Sequence, residues 1–315
     1  MMSANSARDS NHALEMLRSH GRSFHWAGQL LAPAMRARCA RLYAICRTID
    51  DTADNPVTDE AQSEAIVSLN NLIEAIRKRD SRHPVVAEAT DLFADHDTAW
   101  RALEHLAVTA LTDIGPVRIA DEASLYAYAD GVAGTVGIMM ASMLNAEQGP
   151  DTRMAAQELG IAMQYTNIAR DVLEDARKDR VYLPACWLGP RATPGEIVAG
   201  EPQARSAAWQ ALQELLAHAE MFYQNGWQGL TDLPPRSRLA IAVASQVYRR
   251  IGVRIQARGP ELYWQERCRV STAGKLLASL HGLRLYRQAG QRLMSAIRSQ
   301  QHRDTRENDR RGVEQ

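Results

Sequence analysis

Cysteine, phenylalanine and net charge are all scarce in this chain. Among its 315 residues there are three Phe and four Cys, and Cys39, Cys46, Cys186 and Cys268 form no Cys-x-x-Cys pair. Neither a zinc site nor a disulfide framework is indicated, and a reducing cytosol is the expected setting. Lys plus Arg number 37 and Asp plus Glu number 37, so no global field gathers nucleic acid and no nucleic-acid partner is expected. The longest uncharged stretch, 131–146, is shorter than the roughly 20 apolar residues of a membrane span. A polar N-terminus of mixed charge lacks the basic-then-apolar order of a secretory signal, so no export is expected. Period-two alternation is scarce, which argues against a sheet protein.

What is present is helical period. Apolar residues recur at three- and four-residue spacing, as in Leu69, Leu72, Ile73 and Ile76, and again in Leu212, Leu215, Leu216 and Ala219. The expected fold is all-α, with helices near 14–18, 34–51, 58–78, 85–95, 98–112, 122–145, 151–176, 203–226, 235–258 and 272–299. No repeat and no linker divides the middle, so a single domain is expected over 11–298. Residues 1–10 are expected to be a flexible N-terminus. The tail 299–315 is polar, alternates in charge, and is expected to be disordered.

Two carboxylate clusters stand out. RTIDDTADN places Asp50, Asp51 and Asp54 near a helix end, and spacings of three and four put Asp54 on one face with both partners. Each such like-charge pair destabilises an isolated helix by roughly 0.2–0.5 kcal/mol, and negative charge at a helix C-terminus is also unfavourable. A cation would relieve this; a solvated helix end is the simpler alternative for this cluster alone. In QYTNIARDVLEDA, Gln164, Asn167, Asp171 and Asp175 follow at intervals of three, four and four, a polar stripe on an otherwise apolar helix. Such a stripe carries a large desolvation cost unless its oxygens meet a cation or one another. A hard divalent ion such as Mg²⁺ binds carboxylates together with substrate phosphates, so two Asp clusters suggest a metal-bridged diphosphate.

Other features are individually weak. The glycines of Gly131-Val132-Ala133-Gly134-Thr135-Val136-Gly137 recur every third residue, without the G-x-G-x-x-G or Lys-Ser/Thr pattern of a nucleotide loop. They read as a small-residue helix face, admitting either a neighbouring helix or a long slender ligand. Arg47, Arg170 and Arg267 carry forks suited to phosphate, although most helical arginines are solvated or paired. Tyr43, Tyr128 and Tyr248 are of a type that is more often core than catalytic.

At RTIDDTADN, YAYADGVAGTVG, QYTNIARDVLEDA and DRVYLP the sequence resembles the squalene/phytoene synthase family, from about His20 to Leu280. PPRSRLAIAVASQVYRRIGVRI followed by RCRVST looks most like the bacterial phytoene synthases. The resemblance implies the isoprenoid-synthase helical bundle around a central cavity whose mouth carries both Asp motifs. It implies that Asp50, Asp51, Asp54, Asp171 and Asp175, with Asn167, hold Mg²⁺ (or Mn²⁺) against diphosphate, and that no nicotinamide cofactor is used. By the same resemblance Arg47, Arg170, Arg267 and Tyr248 contact diphosphate, while His20, Arg22, Ser23, Phe24, Tyr43 and Gln164 bind substrate. Tyr128 would be an active-site tyrosine, and Val132, Ala133, Gly134 and Gly137 the cavity wall. Asp130 and Asp179 depart from the family pattern, Asp179 standing where Gly is common.

The activity so implied is 15-cis-phytoene synthesis from two geranylgeranyl diphosphates, through prephytoene diphosphate. The alternatives are a farnesyl diphosphate-using presqualene, dehydrosqualene or squalene synthase, and a non-catalytic relative acting as an assembly factor. A cytoplasmic enzyme is expected, peripheral on the membrane because substrate and product are greasy, with a downstream phytoene desaturase as its partner.

Overall fold

Helix formation in this chain is set by apolar period and punctuated by caps and prolines. A computed structural model describes residues 4–313 apart from 55–57, 95, 145, 147–148 and 191. The helices are α1 (Ala4–His20), α2 (Arg22–Gly28), α3 (Pro33–Asp54), α4 (Asp59–Lys78), α5 (Pro84–Phe93), α6 (Asp97–Ala110) and α7 (Glu122–Ala129). They continue with α8 (Thr135–Met143), α9 (Pro150–Arg177), α10 (Ala185–Leu188), α11 (Pro194–Ala199), α12 (Pro202–Gly226), α13 (Pro235–Tyr263) and α14 (Thr272–Val313). Pro begins α3, α5, α9, α11, α12 and α13, where its missing N–H removes no intrahelical bond. Thr58 caps α4 by accepting from the Ala61 amide, and Asp121 caps α7 by accepting from Ser124.

The all-α expectation holds, with one small addition. β1 (Val117–Arg118) and β2 (Arg180–Val181) form a two-stranded parallel pair in which Val117 faces Arg180. The turn entering β2 places Asp179 at φ +57°, the left-handed region in which Gly is least strained and Asp is tolerated. That is the physical sense of Gly being common there. Asp179 is further held by an ion pair with Arg118.

Other differences from the expected helices are local, among them the short α2, α10 and α11, which were not expected. The helix expected over 122–145 is split by a π-helical turn at Asp130–Gly134, and its expected last residue, Asn145, lies outside the described residues, as does Asp95, the expected last residue of the helix over 85–95. The backbone of α1 is helical from Ala4, within the segment expected to be flexible. Likewise α14 continues to Val313 through the tail expected to be disordered; its Gln, Arg and Glu residues are good helix formers even without an apolar face.

Two apolar cores organise the bundle. One is built on α9 and α12 with α13, and includes Ile161, Ile168, Leu212, Leu215 and Ile255. The other gathers α3 to α6 and α8, with Leu42, Ile49, Leu69, Phe93 and Met139. Between them lies a cavity of about 840 Å³, bordered by Ile49 and Leu106 from one core and Leu159 and Ile251 from the other.

Close approach of α8 to α9 closes one side of this cavity. A Cβ at Gly137 would collide with the Ala156 carbonyl, and a Cβ at Gly160 with the Ala133 carbonyl, so each helix carries a glycine where the other's backbone passes. Gly137→Ala should therefore destabilise despite alanine's higher helix propensity. Overpacking of about 1–3 kcal/mol would lower the thermal midpoint by about 2–4 °C per kcal/mol. An unchanged midpoint in differential scanning calorimetry would mean that the helices separate freely and that no tight crossing exists.

Candidate active site

The first Asp cluster ends α3, and the second lies in the last three turns of α9. Each is held by arginine. Arg47 donates from Nη1 to Asp50 Oδ2 at 2.9 Å and pairs through Nη2 with Asp51 Oδ1 at 2.5 Å. Arg170 grips Asp171 with both prongs, Nε to Oδ1 at 2.8 Å and Nη2 to Oδ2 at 2.5 Å. Arg267, arriving from the segment before α14, donates from Nε to the same Asp171 Oδ1 at 2.8 Å and reaches Glu174 at 3.1 Å.

The clusters meet through Asp54. Its carboxylate pairs with Arg180 and, at 3.4 Å, with Lys178, both just beyond the end of α9. The Arg180 side chain is buried and donates also to the carbonyls of Asp113, at 2.5 Å, and Ala53, at 3.3 Å. Charge crowding shows in the carboxyls. Burial, with repulsion from Asp54, lifts Asp50 to about 6 against the pull of Arg47. Burial and the neighbouring Asp171 lift Asp175 to about 8, with Lys178 only partly offsetting them.

Of the residues singled out by sequence, His20, Arg22, Ser23, Phe24, Tyr43, Arg47, Asp50, Tyr128, Gln164, Asn167, Arg170, Tyr248 and Arg267 border the cavity. Asp51, Asp54, Asp171 and Asp175 do not border it; the first three pair with Arg47, Arg180 and Arg170, whereas Asp175 lies near Asp171 and Lys178. Phe24 lies against Tyr248 with ring centroids 4.9 Å apart, and against Tyr43 at 6.5 Å, an aromatic edge beside Arg170. Burial pushes Tyr43 up to about 12 and Tyr248 upward as well, so both keep their protons at neutral pH.

The expected small-residue wall needs correction. Val132, Ala133 and Gly137 border the cavity, whereas a Cβ at Gly134 would strike the Asp130 carboxylate and press on Gln157. Gly134 serves helix packing, and the Gly137 Cβ direction is also aimed at α9. Val136 and Met140 supply cavity surface in their place. The unusual Asp130 is accounted for locally, accepting a 2.7 Å hydrogen bond from Gln157 Nε2.

Sequence reasoning missed a polar knot at the same end of the cavity. Asp113 is buried, and it accepts from Tyr128 Oη at 2.9 Å and Tyr182 Oη at 2.7 Å. The two tyrosines stack with centroids 4.8 Å apart. Burial raises the Asp113 carboxyl, opposed by these two hydrogen bonds. Asp113 precedes Ile-Gly-Pro and reads as a turn residue; nothing in its neighbours signals burial. Arg180 and Tyr182 lie in DRVYLP, whose own spacing suggests no role.

Comparison with known proteins gives this arrangement a context. A family model described as squalene/phytoene synthase matches residues 17–273. The chain belongs to the squalene/phytoene synthase family. It is thus a prenyltransferase of the head-to-head class. It is similar to the 15-cis-phytoene synthase of Pantoea ananas, 33% identical over 92% of this chain and 94% of that protein. It is also similar to the 15-cis-phytoene synthase of Paracoccus sp., 35% identical over 91% and 94%. Among solved structures, a dehydrosqualene synthase in complex with ligand superposes with a TM-score of 0.70 at 22% identity, covering 92% of this chain and 98% of that one. Squalene synthase HpnC from Alicyclobacillus acidocaldarius gives 0.67 at 18% identity, covering 82% and 96%. These likenesses establish the helical-bundle fold. Among the described residues no helix is long and apolar enough to cross a membrane.

Divalent-metal dependence is typical of the family. Among the described residues no group of three or more His, Cys, Asp or Glu side chains is gathered closely enough to hold a metal ion. The donors nevertheless fit a hard cation. They are all oxygens, Asn167 Oδ1 is buried with no hydrogen-bond partner, and burial beside Asp171 disfavours charge on Asp175 by more than Lys178 and Arg180 offset. Arg47 Nε is a matching orphan donor for an anion.

Asp175→Asn follows as a test of this electrostatic reading. A carboxyl raised by folding stabilises the fold while it stays protonated and loses that contribution as pH rises towards its folded value. In EDTA the variant should melt higher than the parent, the gap opening from about pH 4 and reaching its maximum near pH 8, while turnover collapses. A variant that melts lower at pH 8 would show that the Asp175 charge is already satisfied by protein.

Proposed function

We propose that this chain is a 15-cis-phytoene synthase, which joins two geranylgeranyl diphosphates head to head and releases two diphosphates for carotenoid biosynthesis. The observation that carries this reading is the convergence of two arginine-bound Asp clusters at one end of an apolar cavity. The curated relatives named as phytoene synthases, 33–35% identical over most of the chain, support the C20 substrate.

Arg47, Arg170 and Arg267 bind the diphosphate groups, their forks matching phosphate oxygens. Asp50, Asp54, Asp171, Asp175 and Asn167, with Asp51, are the residues that would hold Mg²⁺, which when bound neutralises charge on the departing diphosphate. The C1–O bond of one substrate breaks, its electron pair leaving with diphosphate, and the double bond of the second substrate adds to the resulting allylic cation. Proton loss then closes a cyclopropane, prephytoene diphosphate. A second ionisation, ring rearrangement and proton loss give phytoene. Val132, Val136 and Met140 present weakly nucleophilic surface to these cations and exclude water. Phe24 and Tyr43 add aromatic faces, whose quadrupole attracts positive charge. Asp113 and Tyr182 hold the Tyr128 ring and hydroxyl in place.

Geranylgeranyl and farnesyl diphosphates supplied separately with Mg²⁺ should give phytoene from the first and little hydrocarbon from the second. Asp171→Asn should lower turnover by orders of magnitude with helicity unchanged. Preferential turnover of farnesyl diphosphate would replace the C20 reading with a squalene-type one. No product from either substrate would favour a non-catalytic relative.

A further inference from the structure

The segment 267–303 contains eight Arg or Lys residues and no Asp or Glu, in a chain whose total charge is zero. Most of it lies on α14. The inner face of this helix is occupied, with Ala278 packed among Val243, Ala244 and Val247 of α13, and Gly282 set against the Val243 backbone. The outer face is not. Leu276, Leu277 and Leu280 are 54%, 40% and 60% exposed. At 3.6 residues per turn they share one face with Arg284 and Arg287, also exposed. Among the described residues neither arginine has an acidic partner.

This face begins at the cavity. Lys275 Nζ donates to the Arg22 carbonyl at 3.2 Å, and Trp26 Nε1 to Ser279 Oγ at 3.0 Å, tying the first turns of α14 to α2. Arg22, Arg269 and Lys275 all border the cavity.

We propose that the first turns of α14 are the surface by which this protein rests on an anionic lipid bilayer. Leu276, Leu277 and Leu280 enter the boundary between headgroups and acyl chains, and Arg284 and Arg287 meet lipid phosphates. An amphipathic helix with leucines and a basic flank has this preference. A second copy of the chain fits less well, because it would bring arginine rows together. A nucleic acid would leave three leucines in water. The placement lets an apolar product pass from the cavity towards acyl chains; that use rests on the proposed activity, whereas the binding itself does not.

Flotation of the full-length protein with vesicles tests the proposal without substrate. Wild type should float with phosphatidylcholine vesicles containing phosphatidylglycerol, float poorly with phosphatidylcholine alone, and be released by salt. Replacing all three leucines (Leu276→Ser, Leu277→Ser, Leu280→Ser) should weaken partitioning by about tenfold or more. The pair Arg284→Gln and Arg287→Gln should erase the preference for anionic lipid. Both variants should keep the wild-type melting temperature and its turnover of detergent-dispersed substrate. Wild type that stays at the bottom of the gradient would overturn the proposal, as would undiminished flotation of the leucine variant. So would a leucine variant that loses self-association in sedimentation yet floats normally, or an arginine variant that loses RNA retention yet keeps its lipid preference.

Discussion

Bringing negative charge together in a half-buried place is the constraint on which this molecule turns. Five aspartates stand where α3 and α9 end, each helix end already unfavourable for an anion. Arginine makes the arrangement tolerable: Arg47 serves Asp50 and Asp51, Arg170 and Arg267 serve Asp171, and Arg180 serves Asp54. Truncating one partner of a buried pair typically costs about 3–5 kcal/mol, so buried Arg180 is as much a structural anchor as a counter-ion. Only Asp175 is left without comparable relief, and its raised carboxyl records that deficit. The forks of these arginines, which hold the carboxylates here, also have the geometry that suits phosphate oxygens.

Placement of that volume follows from the bundle. Two apolar cores meet along an unfilled seam, and the polar ends of α3 and α9 open onto one end of it. A molecule with a charged head and a long apolar tail satisfies both halves at once, and a small polar metabolite would leave the apolar length of the seam unmatched. The α8–α9 crossing keeps one wall thin, with backbone in contact where side chains would otherwise intrude.

Much of this was legible in sequence, and the exceptions share a cause. The polar stripe on α9 declared itself because intervals of three and four are visible in a one-dimensional string. From α3 onward the expected helices begin within a residue of the observed ones, whereas α1 begins ten residues earlier than expected and the short α2, α10 and α11 were not foreseen. Asp113 was invisible because its burial is created by Tyr128, Tyr182 and Arg180, which converge from other parts of the chain. The glycine stripe allowed two readings, a ligand wall or a helix contact, and only the position of the Ala156 and Ala133 carbonyls separates them. Helix α2 is seven residues long, too short to display a period, and the π-helical turn before α8 interrupts one.

The central claim is that the two arginine-bound Asp clusters act as one receptor for a metal-bound diphosphate. Calorimetric titration of the protein with inorganic diphosphate, in Mg²⁺ and in EDTA, addresses it without any prenyl chain. The account predicts saturable binding in Mg²⁺, weaker by about tenfold or more in EDTA and lost in Arg170→Gln. Equal affinity with and without Mg²⁺, or full affinity in Arg170→Gln, would contradict it.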